Sequence, residues 1–250
     1  MKRSPDRAAL LASGDVQAFY ASTDALDDHA IASASGLLSP DEKARAERFS
    51  FANDRRDFIA AHALLRRALS SQHEVEPRDW RFAAGPGGKP ELAAAHGGPI
   101  RASFNLSHTN GLVACAIGRG ADIGIDVEAI DRRADVMALA ERYFSAVERA
   151  DLRARPPADA GRRFIEIWTL KEAFVKATGA GVTRALDAFS FGVNDDLAVA
   201  FEPPPGDVAA AWQFALFAPV ERYRLAVAVR GSAPNRRAIT VRPFDLVSGS

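Results

Sequence analysis

Two acids stand two residues apart in Ile123-Gly-Ile-Asp-Val-Glu128. In an extended chain alternate side chains share a face, so Ile123, Ile125 and Val127 turn one way while Gly124, Asp126 and Glu128 turn the other. Carboxylates a few Å apart repel unless one takes a proton or a cation sits between them. Hard oxygen ligands of this kind suit Mg or Mn, above all where phosphates complete the shell. Taken alone, the segment reads more plainly as a solvated strand end.

Further along, Phe164-Ile-Glu-Ile-Trp-Thr-Leu-Lys-Glu-Ala-Phe-Val-Lys176 has helical spacing. Ile167, Leu170 and Phe174 form a core stripe, and Trp168, Glu172 and Lys176 share the neighbouring one at i, i+4 and i+8. This is either a surface ion pair beside a core tryptophan or the rim of a site. Ser107 and His108 end an extended run, Phe104-Asn-Leu-Ser-His-Thr109. Neighbours on a strand point oppositely, so they make no nucleophile and base pair; turn chemistry and phosphate binding both remain open. Lys89 sits in a glycine loop that lacks the spacing and following helix of a P-loop. Cys115, the single cysteine, lies in an apolar run and reads as a small buried hydrophobe.

The elements that must position these groups are an α+β set. A helix opens at Ser39-Pro40-Asp41-Glu42, with a cap, a first-turn proline and acids, and runs to about Phe49. A longer helical pattern covers Asp54 to Ser71, with Phe58, Ala61, Leu65 and Ala68 at helical spacing. Strands are predicted over Arg101 to Leu106, Leu112 to Ile117 and Ile123 to Glu128, the first two joined across Thr109-Asn-Gly111. Helices follow over Asp135 to Tyr143, Ala146 to Arg153 and Arg162 to Thr178. Runs at Phe189 to Val193, Ala198 to Phe201, Trp212 to Phe217 and Arg222 to Val229 complete one antiparallel sheet. The last twenty residues read as a loose tail. Helix then strands occurs twice, and Phe58-Ile-Ala-Ala-His-Ala-Leu64 echoes Phe164-Ile-Glu-Ile-Trp-Thr-Leu170. This predicts two related halves, residues 1–119 and 120–250.

Lys and Arg equal Asp and Glu at 32 each, so no overall field draws the chain to nucleic acid. One cysteine and five scattered histidines argue against a zinc site. The polar start and strand-sized apolar runs predict no membrane span and a cytoplasmic protein.

Together these pieces resemble the 4'-phosphopantetheinyl transferase family, in which an I-G-I-D-x-E strand precedes a W-x-x-K-E-x-x-x-K helix. Glu141-Arg-Tyr-Phe-Ser-Ala-Val-Glu148 is similar to the family's R-x-F-S-x-x-E segment, and Gly88-Lys-Pro90 and Asn105-Leu-Ser-His108 keep the family's order upstream. The resemblance implies Mg, or Mn, on Asp126, Glu128 and Glu172, with Lys171 and Lys176 near the pyrophosphate of coenzyme A. It implies nucleotide contacts from Lys89, Ser107 and His108, and places Lys43, Arg45 and Arg56 toward the 3'-phosphate. Length favours the larger, surfactin-synthetase-activating type: a monomer whose two similar α/β halves, each an antiparallel sheet packed with a long helix, form an intramolecular pseudo-dimer.

The implied reaction moves phosphopantetheine from coenzyme A to a serine of an acyl or peptidyl carrier protein, releasing 3',5'-ADP. Glu172 is the first candidate for the base and Glu128 the second, with Asp126 and Lys176 completing the catalytic set. The rival expectations are a non-catalytic coenzyme A or carrier-binding module and a metal-dependent nucleotidyltransferase. Carrier docking is expected along Asp131 to Arg163, through Arg149 and Arg153 or through the apolar Phe144 and Val147.

Overall fold

The structure, a computed structural model, describes residues 14–85, 88–93, 102–131, 135–179, 185–231 and 236–248. Arg101, Arg132, Arg133 and His96-Gly-Gly-Pro99 lie outside them.

The chain opens with β1 (Val16–Ser22), α1 (Asp28–Gly36), α2 (Pro40–Ala46) and the long α3 (Ala52–Gln72). A small hairpin of β2 (Phe82–Ala84) and β3 (Pro90–Leu92) leads to β4 (Ser103–Thr109), β5 (Leu112–Gly118) and β6 (Asp122–Ala129). Then come α4 (Val136–Tyr143), α5 (Ala146–Arg153) and α6 (Pro157–Thr178), and last β7 (Ser190–Val193), β8 (Val199–Glu202), β9 (Trp212–Phe217), β10 (Tyr223–Arg230) and β11 (Ile239–Pro243).

Strand periodicity sets the layers. In β5, Val113, Cys115 and Ile117 face α3, while Leu112, Ala114 and Ala116 face the second sheet. In β6, Ile123, Ile125 and Val127 meet the first sheet, which leaves Gly124, Asp126 and Glu128 on the opposite face, as alternation requires. The order is therefore α3, the sheet β11-β1-β5-β4, the sheet β6-β10-β9, then α6 over Ala226 and Ala228. The mixed α+β expectation holds at this level.

Local signals explain the helix ends. Ser39 with Glu42 and Ser145 with Glu148 each close a reciprocal capping box. Pro157 is the first residue of α6, and Gly179, at φ 67°, ends it in the left-handed conformation. The expected start at Arg162 is thus too late: the prolines that break α5 also begin α6.

Three other expectations change. β7 and β8 pair only with each other, so the later strands do not form one sheet. Residues 239–246 are no loose tail: β11 joins β1 in parallel, and Phe244 and Leu246 enter the core under α3. The last strand therefore belongs to the sheet of residues 1–119. β1 and α1, absent from the sequence reading, sit at the first sheet's centre and beside α3.

Candidate active site

α6 meets β6 without an intervening side chain. A Cβ at Gly124 would stand 1.9 Å from the Ala173 carbonyl oxygen and 2.5 Å from Ala177 N, so only glycine admits this approach. Across the strand pair, Arg224 stands opposite Glu128 and donates to Glu166 Oε1 at 3.2 Å. The helix is thereby anchored at Ala173 and Ala177 beside Gly124 and at Glu166 beside Glu128, and runs antiparallel to the strand. Glu172 and Lys176, one turn apart and both half-buried, fall on the stretch passing the two strand acids.

Asp126 is 4% exposed. Its Oδ1 accepts from Lys176 Nζ at 2.6 Å and from Ser107 Oγ at 2.8 Å, and Lys176 also donates to Ser107 Oγ at 2.9 Å. One strand of each sheet and the long helix therefore contribute to a single cluster. Asn105 holds β4 against β6 by accepting from Ile125 N at 2.9 Å, and Thr109 Oγ1 reaches Glu128 Oε2 at 3.5 Å. The second oxygen, Asp126 Oδ2, is buried with no hydrogen-bond partner. A buried carboxylate oxygen left unpaired is costly, and a hard divalent cation is what would satisfy it. That oxygen fits the expected metal. Among the described residues, however, no three acidic, histidine or cysteine side chains already stand in a metal-binding array.

His108 ends outward from β4. His108 is exposed, yet the residues crowding its ring, then the Lys176 charge, hold its imidazole below the ordinary value. Asp54, Asp126 and Arg45 act on the ring as well, which brings Arg45 of α2 into the same electrostatic neighbourhood. Arg45 itself lies over Phe58, 5.5 Å from the ring centre. Lys43 is exposed and Arg56 half-buried, and the described contacts join neither to Asp126. Lys89 donates to the Ile123 carbonyl at 2.8 Å, at the far end of β6 from Glu128; burial lowers its pKa, with Asp122 and Glu91 opposing.

Lys171 departs from expectation. It is fully buried, with its ammonium on Glu148 Oε2 at 2.9 Å, Leu186 O at 2.7 Å and Phe189 O at 2.8 Å, so it does not face the cleft where a pyrophosphate would lie. Positions 167, 171 and 174 fall on one helical face, and that face is the core. Burial pushes the Lys171 pKa down while Glu148 opposes the shift. Phe144 is likewise buried, stacked on Phe164, and offers no docking surface, whereas Val147 is exposed. Arg149 and Arg153 both pair with Glu141.

Sequence reasoning missed Asp57 and Tyr223, which hold the β4–β5 turn, and Arg224 beside Glu128. No motif marks them. Glu148, named beforehand only as the end of the R-x-F-S-x-x-E segment, caps α5 and with the same carboxylate takes up Lys171 and Phe191 N.

The fold and site are those of an α+β molecule in which a lysine, a hydroxyl and a buried carboxylate meet where β4, β6 and α6 come together. Two family models match the chain: the 4'-phosphopantetheinyl transferase superfamily over residues 122–228, and the N-terminal region of 4'-phosphopantetheinyl transferase over 27–118. The chain is 37% identical over 196 residues to 4'-phosphopantetheinyl transferase HetI of a Nostoc species, covering 78% of this chain and 79% of that one. It is 32% identical over 171 residues to 4'-phosphopantetheinyl transferase Sfp of Bacillus subtilis, covering 67% and 72%. A holo-(acyl-carrier-protein) synthase structure from Bacillus anthracis is similar over 45% of this chain and 96% of that one, at 17% identity and a TM-score of 0.39. The chain belongs to the 4'-phosphopantetheinyl transferase family. Within it the chain is of the Sfp and HetI type.

Proposed function

We propose that the cluster of Asp126, Ser107 and Lys176 is where this transferase moves phosphopantetheine from coenzyme A to a carrier-protein serine. The observation that carries this reading is the meeting of those three groups from β6, β4 and α6 around a carboxylate whose second oxygen is unpartnered.

In the reaction the serine oxygen bonds to the phosphorus that bears pantetheine. The bond to the departing 3',5'-ADP breaks, and the serine proton passes to a base. Lys176 supplies positive charge where negative charge grows on the leaving phosphate. Ser107 and the neutral His108 offer hydrogen bonds to the nucleotide end, and Arg45 adds charge beside them. Lys89, Lys43 and Arg56 are assigned to the same end by the family resemblance alone. Glu172 takes the proton, with Glu128 as the alternative. Asp126, Glu128 and Glu172 would hold Mg or Mn, which when bound neutralises the pyrophosphate and aligns it for in-line attack.

The reading of two related halves draws support from strand order. β1-β5-β4 beneath α3 and β6-β10-β9 beneath α6 place first, last and middle strands alike. Each half also joins a capping-box glutamate to a buried cation of its long helix, Glu42 to Arg66 and Glu148 to Lys171. A chain that supplies both halves itself needs no second copy, which accords with a monomer. Among the described residues no helix is long and apolar enough to cross a membrane.

Asp126→Asn tests the site. Incubated with coenzyme A, Mg and an apo carrier, it should lose at least about a hundredfold in turnover by mass spectrometry of the carrier, a drop typical of removing a group that stabilises transition-state charge. It should still bind 3',5'-ADP. Wild-type turnover in this variant at saturating Mg would sink the assignment.

A further inference from the structure

The β4–β5 turn lies two residues beyond His108, and both halves of the molecule grip it. From the first half, Asp57 Oδ2 accepts from Gly111 N at 3.3 Å, its Oδ1 accepts from Thr23 Oγ1, and Thr23 N donates to Gly111 O at 2.9 Å. From the second half, the Tyr223 hydroxyl donates to the Asn110 carbonyl at 2.9 Å. Gly111, at φ 90°, cannot take a side chain: a Cβ would stand 2.7 Å from the Tyr223 hydroxyl and 2.8 Å from either Asp24 carboxylate oxygen. Tyr223 is 4% exposed, and its ring packs in the apolar layer between the sheets with Leu112, Ala114 and Val127.

Among the described residues the two sheets share no backbone ladder, so apolar packing and side-chain links of this kind set their relative placement beside the site. Apolar packing between sheets is weakly directional. A hydrogen bond to a turn carbonyl fixes distance and direction. The turn leads directly into Thr109, His108 and Ser107, and Ser107 must meet Asp126 across the gap.

We propose that Tyr223 is a positioning residue for coenzyme A binding: its hydroxyl, on the second half, locks the turn that aims Ser107 and His108 of the first half at the nucleotide. This inference rests on the transferase reading above. Tyr223 touches no reacting atom. Ser107 stays tied to Asp126 and Lys176, so a loosened turn is felt at His108, which would grip the nucleotide alike before and during transfer; losing its alignment weakens binding without slowing chemistry.

Tyr223→Phe keeps the ring and removes only the hydroxyl. One net hydrogen bond corresponds to roughly a three- to tenfold change. Calorimetry with 3',5'-ADP should show that loss of affinity, and KM for coenzyme A should rise by the same factor while kcat stays within about twofold. Gly111→Ala, which crowds the same contact, should weaken binding also, and the double variant should lose less than the sum of the two. Wild-type binding of 3',5'-ADP with an unchanged dissociation constant in Tyr223→Phe would overturn this inference alone. So would a double variant in which the two losses simply add. Wild-type protein with no affinity for 3',5'-ADP or coenzyme A would overturn the transferase site as well.

Discussion

The two long helices cover their sheets in different ways. α3 rests on side chains: Leu64, Leu65 and Leu69 share a cluster with Phe19, Phe104, Val113 and Ile117. α6 descends to the backbone of β6, where Gly124 yields its place to Ala173 and Ala177. The buried ion pairs differ in the same sense. Arg66 is buried but its partner Glu42 keeps some exposure, and Arg66 Nε has no hydrogen-bond partner. Lys171 and Glu148 are both fully enclosed, and the three ammonium donors have three acceptors. Where a strand carboxylate must meet a helix lysine, the gap has to be narrower than a leucine. The second half therefore has little slack, and the first half has more.

The sharpest way to break that contrast is to remove the cation from each pair. Lys171→Ala leaves Glu148 buried without a counter-charge and should cost about 3–5 kcal/mol in urea unfolding. Arg66→Ala should cost less, because water can reach Glu42. Equal losses would mean that the two halves are held with equal stringency.

Glycine substitutions probe the spacing itself. Gly124→Ala drives a methyl into a helix carbonyl and should cost about 3 kcal/mol, at the upper end for overpacking, together with most of the transfer activity. In the first half, Gly118→Ala meets chiefly the movable tips of Ile123 and Val16, so its cost should stay near 1 kcal/mol. A melting curve for Gly124→Ala no lower than that of Gly118→Ala would contradict the close approach of α6.

The smallest effect concerns the seam. His108 should titrate below the ordinary histidine value in NMR spectra, and Lys176→Ala should move it upward by removing the larger of the two charges that lower it. Between that lowered value and 6.5 the unfolded chain binds more protons than the native one. Stability therefore rises with pH through this window and falls as acid is added. A His108 titration unmoved by Lys176→Ala would separate the ring from the cluster.

What could be read beforehand was what periodicity marks. β6 announced its two faces by strict alternation, and α6 announced Glu172 and Lys176 by four-residue spacing. Lys171 was placed toward the pyrophosphate by the family resemblance, and helical position overrides it: residue 171 shares the buried face of 167 and 174. Asp57 and Tyr223 left no trace, since their partners, Thr23, Gly111 and Asn110, lie far away in sequence. β11 was illegible for a related reason: five residues, two of them Arg242 and Pro243, become a strand only because β1 waits beside them.

That last pairing has a temporal consequence. Asp15 and Ala238, hydrogen-bonded where the two strands begin, are 223 residues apart. During synthesis β1 emerges early, yet the neighbour on one of its edges leaves the ribosome long afterwards, and an unpaired edge invites other chains. Gln17, Tyr20 and the rest of β1 must keep that edge open until everything that follows has been made. β1, the first strand among the described residues, is thus among the last to be completed, and contacts of such long sequence separation are the slow ones to form.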